Sequence, residues 1–231
     1  MTQPSVIDTI LEIQQVRDLF YESEAKLGVS YSSWDKDKDA RITSFRKCAN
    51  VLNDAQLGLL FVEFHLTKQE WWSTVPNKNI PTNDQLIYIS EFVMFMKIGF
   101  LQFVFSSIES SFRLIVKSID PTVCSNGTAE FKNIYSYLFT RINLQKWETL
   151  LDLLRCTRNS IHNNGVYFHR SGKDETINYK GINYAFVIGS PVNFVNWAFL
   201  ISMVKDINDM LYEVITRSDV AKIPSVIDPF G

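Results

Sequence analysis

The chain has 231 residues, of which 46% are hydrophobic, 13% aromatic and 21% charged, with a formal net charge of −2. That is the make-up of a globular protein with a real core, and it excludes a general basic coat of the kind that binds nucleic acid without sequence preference. Any contact with nucleic acid must come from a local patch. Cys48, Cys124 and Cys156 are odd in number, widely spaced and form no CxxC, which argues against a disulfide framework or a zinc site and for a reducing compartment. Met1 to Gln15 lacks a basic stretch followed by an apolar one, so no secretory signal is read and the expected location is the cytoplasm.

Ser5-x-x-Asp8 caps a first helix, read to about Ala25, with Ile7, Ile10, Leu11 and Phe20 at helical spacing. Gly28 to Asp39, with the charge run Asp35 to Asp39, reads as a loop. A second helix covers Ala40 to Thr67, and Gln69 to Pro81, with Trp71 and Trp72, reads as a connector. Thr82-x-x-Gln85 is a capping-box pattern and opens a third helix that Asp120-Pro121 stops. Its stretch Leu86 to Phe105 approaches the ~20 apolar residues of a membrane span. It carries Glu91, Lys97 and Gln102, however, and is better read as a central bundle helix surrounded by neighbours than as a membrane contact.

Ser125-Asn-Gly127 reads as a turn, and Thr128 as the cap of a short helix to about Arg141. Asn143 is taken to cap the next helix, Leu144 to about His162, which Asn163-Asn-Gly165 terminates. The apolar period then changes to two. Val166 to His169 and Thr176 to Ile188 read as two strands around Arg170 to Glu175. Ser190-Pro191 is the expected start of a last helix to about Arg217, followed by an irregular tail. No repeat or linker divides the chain, so a single mainly α domain is expected.

On the helix 144–162, Trp147, Leu150, Leu151, Leu154 and Ile161 form one apolar stripe. Arg158 falls within it, Arg155 and His162 lie at its edge, and Asn159 is farther round. A guanidinium facing the core must be paired or must line a cleft, because an unpaired buried charge costs several kcal/mol. Glu109 on the third helix is the candidate partner, although Arg113, four residues on, competes for it. Between Arg141 and Lys173 six basic residues stand against two acidic ones, so this region is locally basic. Arg with His suits RNA phosphodiester chemistry without a metal. His exchanges a proton near neutrality, and Arg offers phosphate two donors and a permanent charge. The same pair equally serves a salt-bridged helix face with no ligand.

Arg158-Asn159-Ser-Ile-His162-Asn-Asn-Gly165, at the end of a helix in a helical domain, resembles the HEPN superfamily. The resemblance covers about residues 85–217 and leaves residues 1–80 as an N-terminal helical extension. It implies a helical bundle with a small β-hairpin after the motif helix, with Glu109 on the acidic helix opposite. It also implies a homodimer that pairs two motifs, no cofactor and no metal. The implied activity is a metal-independent endoribonuclease acting in antiviral defence, abortive infection or as a toxin, with RNA and an antitoxin or other protein as partners. The family's motif is an Arg, a polar follower, and four to six residues before a His. Arg158 has the follower, Asn159, but three residues before His162; Arg155 has six, but is followed by Cys156. Both arginines therefore stand as candidates, and a non-catalytic module binding RNA or a partner protein stands beside the nuclease.

Elsewhere, His169 with Arg170 could add a basic contact but reads more simply as a solvated hairpin residue. His65 reads as a partly buried helix residue, and Trp71-Trp72 as a loop anchor. No Gly-rich phosphate loop, HExxH, GxSxG or EF-hand pattern occurs.

Overall fold

A computed structural model describes residues 5–74, 80–124 and 130–230. The turn expected at Ser125-Asn-Gly127 and the cap expected at Thr128 lie outside them. Among the described residues the fold is mainly helical, with one two-stranded antiparallel sheet.

Helix α1, Val6–Ser30, begins on a full capping box. The Ser5 hydroxyl accepts from the Asp8 amide at 3.1 Å, and the Asp8 carboxylate accepts from the Ser5 amide at 3.2 Å. It runs one turn beyond Ala25 because its buried stripe continues through Phe20, Ser23 and Leu27 onto Gly28. Helix α2, Ala40–Phe61, packs along α1 and is capped by Asp39, whose carboxylate accepts from the Arg41 amide at 3.0 Å. It ends in a π-helical turn, Val62–Leu66, and a short helix α3, Gln69–Thr74, lies within the stretch expected to be a plain connector. Trp72 does anchor it: the indole is buried and donates to the Leu66 carbonyl at 2.8 Å.

Helix α4, Thr82–Ile119, is 38 residues long. The expected capping box does not form. Pro81 holds the cap position, and the Gln85 amide reaches back to the Ile80 carbonyl at 2.9 Å instead. Helix α5, Phe131–Ile142, stops at Asn143, which sits in the left-handed region with φ 57°. Asn143 thus ends one helix rather than beginning the next, a role that fits Asn's tolerance of that conformation. A 3₁₀ turn, Gln145–Trp147, leads into α6, Glu148–Ile161. Its end follows the expected stop: Asn164 and Gly165 have φ 55° and 81°, and the Gly165 amide bonds back to the Ser160 carbonyl at 3.0 Å.

The hairpin lies later than expected. Strand β1, Glu175–Tyr179, pairs with β2, Ile182–Phe186, and Lys180-Gly181 makes the two-residue turn. Both turn residues have positive φ, 51° and 79°, as a type I′ hairpin requires. The stretch 176–188 read as one strand therefore contains both strands of the hairpin. Residues 166–169 are not a strand; Val166 makes only an isolated bridge to Pro191. That bridge also places Ser190-Pro191 outside any helix. The last long helix, α7, Trp197–Thr216, starts six residues later, on Asn196, whose side chain accepts from the Phe199 amide at 2.9 Å. A one-turn helix α8, Ser218–Ala221, follows.

One hydrophobic core runs from Ile10 to Val226 and joins α1, α2, the second half of α4, α5, α6 and α7. Two satellites flank it. Leu153, Cys156, Tyr167, Ile177 and Phe186 fix the hairpin on α6. Val62, Leu66 and Trp72 pack on the first half of α4. That half is not enclosed as a central helix would be. Helix α4 contains an 18-residue window that meets the length and hydropathy of a membrane span, as core helices also do, and 17% of that window is buried.

Candidate functional site

Helix α6 delivers its basic residues to two different surroundings, and the difference separates the two arginines. Arg155 sits over the hairpin side, 13% exposed in its side chain, 3.2 Å from Asp152 and 3.5 Å from Glu175. Both carboxylates are further engaged. Asp152 accepts from the Tyr135 hydroxyl at 2.6 Å and pairs with Lys132 at 3.2 Å. Glu175 accepts from the Tyr167 hydroxyl at 3.0 Å and from the Cys156 thiol at 3.2 Å. Burial pushes the Cys156 thiol up to about 12, so it stays protonated as a donor and is no nucleophile at neutral pH. Arg155 is thereby the hub of a charge network that ties β1 to α6.

Arg158 has a different setting. It is half-buried, and its guanidinium carbon lies 4.8 Å from the centre of the Phe105 ring on α4, a cation–π arrangement. Its Nη1 donates to the Asn159 side-chain oxygen at 3.3 Å. Its Nε, like that of Arg155, is buried and has no acceptor among the described residues. The sequence holds nine arginines, all among the described residues, and eight pair with a carboxylate. Arg158 is the exception.

Glu109 does not serve Arg158. Its carboxylate holds Arg113 at 2.6 Å, one turn farther along α4, so the local i,i+4 pair prevails over the interhelical one. His162 is the C-cap residue of α6 and is exposed. Desolvation, reinforced by the positive charge of Arg158, holds its pKa below the ordinary value of 6.5. Arg158, Asn159 and His162 therefore form one group at the end of α6, with Arg155 outside it and Glu109 turned to another partner. Sequence reasoning missed Phe105. Nothing in an apolar run of that length marks which ring a cation will cover.

His169 lines a depression of about 300 Å³ in which Arg155, Lys132, Arg170 and Lys173 alternate with Glu130, Asp174 and Glu175. Its ring contacts the Ser171 hydroxyl at 2.6 Å, and Arg170 pairs with Glu130. His65 is exposed on the π-helical turn, against Phe61 and Trp71. Among the described residues no cluster of His, Cys, Asp and Glu could hold a metal ion. Compared with protein families, with curated proteins and with solved structures, the chain matches none.

Proposed function

We propose that the protein is a HEPN-like, metal-independent endoribonuclease whose working residues are Arg158, Asn159 and His162. The observation that supports this reading is the unpaired Arg158: a permanent cation, half-buried on an aromatic ring and left without a carboxylate, beside a histidine whose pKa desolvation and then the Arg158 charge hold below its ordinary value. A neutral imidazole can take the proton of a ribose 2′-hydroxyl as its oxygen bonds to the adjacent phosphorus. The guanidinium offsets the charge that grows on the phosphoryl oxygens. The bond from phosphorus to the 5′-oxygen then breaks, leaving a 2′,3′-cyclic phosphate, and the departing oxygen needs a proton. One chain offers a single histidine at this group, so a second copy supplying its own His162 as the acid is part of the proposal. The resemblance places such chemistry in antiviral defence, abortive infection or toxin action.

A second reading is a non-catalytic module that holds RNA or a protein partner on the same residues. It is favoured by the locking of Arg155, whose spacing to His162 is the one the resemblance asks for. The two readings part in one experiment. Purified protein is incubated with mixed cellular RNA in EDTA beside His162→Ala and Arg158→Ala proteins shown to be folded by circular dichroism. The nuclease reading expects cleavage with 2′,3′-cyclic phosphate ends by the unmodified protein alone. RNA retention without cleavage, lost in Arg158→Ala, selects the binding module with RNA as its ligand, and an inert protein that retains no RNA removes the nuclease and RNA as that ligand.

A further inference from the structure

Where the end of α6 meets α4, the segment 191–195 closes a cavity of about 360 Å³. This lies within the size range of small-molecule sites. Met94, Ile98, Ile161, Val192 and Val195 make it largely apolar. The hydroxyls of Thr157 and Ser160 also face it, but both donate to carbonyls of their own helix, Leu153 at 2.8 Å and Cys156 at 2.9 Å. Their protons are spent. The side-chain amides of Asn164 and Asn193 stand at the exposed rim.

The one cation in the wall is Lys97, and its position is unusual. It is half-buried, with no ion pair or hydrogen bond from its ammonium among the described residues. Burial alone holds its pKa below the usual lysine value, with no neighbouring carboxylate to raise it. A desolvated ammonium without a partner is an unmet electrostatic demand. A monoanion with an apolar body would answer it and fill the cavity. A phosphate dianion would need more donors than a single ammonium and two rim amides.

We propose that this pocket binds a small amphipathic carboxylate, an aryl or short alkyl acid, with its carboxylate on Lys97 and its apolar body between α4 and the segment 191–195. The site uses the face of α6 that carries Thr157, Ser160 and Ile161, not the Arg158–His162 group, and does not rest on the nuclease reading.

The test uses 4-phenylbutyrate and its uncharged counterpart, 4-phenylbutan-1-ol, on the full chain. Binding is read by calorimetry and by the methyl resonance of Met94 in protein labelled at its five methionines, assigned with Met94→Leu. The acid should shift the Met94 methyl and bind about tenfold tighter than the alcohol, the size expected for one charge-assisted contact. Lys97→Met, which keeps the apolar stem, should abolish that preference while melting no lower than the unmodified protein. Ile98→Trp should close the cavity to both compounds. Equal affinity for acid and alcohol overturns the proposal, as does an acid preference that survives Lys97→Met. So does the absence of any Met94 shift at millimolar acid.

Discussion

Arg158 and Arg155 are three residues apart on one helix and have different fates. The cause is what packs over each. Glu175 approaches Arg155 from the hairpin, twenty positions along the chain, while Phe105 offers Arg158 a ring face and no negative charge. Helical spacing was enough to place Arg158 and His162 on one side of α6. It did not show that Arg155 would be held twice, by Asp152 one turn back on α6 and by Glu175 arriving from the hairpin. The remaining charge acts on His162, because a positive neighbour disfavours the imidazolium. An NMR titration should therefore place the His162 pKa below 6.5. Arg158→Gln should move it upward, and any cleavage activity should have an acid limb that moves with it to higher pH. A His162 pKa that does not respond to Arg158→Gln would leave desolvation as the sole cause.

Helix α4 is one element with two environments. Ile87, Met94, Leu101 and Ile108 follow one another every seven residues, so they lie along a single stripe. Ile87 and Met94 are 52% and 53% exposed, whereas Leu101 and Ile108 are fully buried. The first half turns another side inward, where Phe92, Val93 and Met96 meet the Trp72 satellite. The second half is covered by α5, α6 and α7. Hydropathy reads the whole run alike, which is why the sequence suggests a helix enclosed along its full length. Equilibrium urea unfolding should separate the halves. Leu101→Ala should lose about 2–5 kcal/mol, and Met94→Ala should stay within about 0.5 kcal/mol. Equal losses would mean that the first half is covered in solution.

Across the whole molecule, the C-terminal tail is joined to the start of α2 by a buried polar knot. Arg41 is fully buried and forks onto Asp39, with Nη2 at 2.6 Å and Nε at 2.8 Å. It also donates to the carbonyls of Val220 and Ile223 at 3.0 and 2.8 Å, and lies 3.7 Å over the Trp34 ring. Beside it Asp228 accepts from Thr43 at 2.6 Å and pairs with Lys47. The tail thus closes over the start of α2, at the end of a stretch whose run of alternating charges reads as a loop. Arg41→Met should cost about 3–5 kcal/mol in urea unfolding, because Asp39 is left buried without its counter-charge. Asp39→Asn combined with Arg41→Met should recover part of that loss. A single variant as stable as the original would show that the knot contributes no stability.

The sequence by itself determined the helical class, the caps at Ser5 and Asn163–Gly165, the amphipathic face of α6 and the placing of Arg158 and His162 on one side of it. All of these follow from local spacing and from the conformations that single residue types prefer. Tertiary structure decided the rest. It set the hairpin at Lys180-Gly181, the start of α7 at Asn196, the locking of Arg155 and the release of Glu109 to Arg113. It also left the outer side of the first half of α4 exposed and Lys97 without a partner among the described residues. Each of these depends on which distant segment arrives at a given surface. Periodicity along one chain records which side of an element is apolar, but not what comes to cover it.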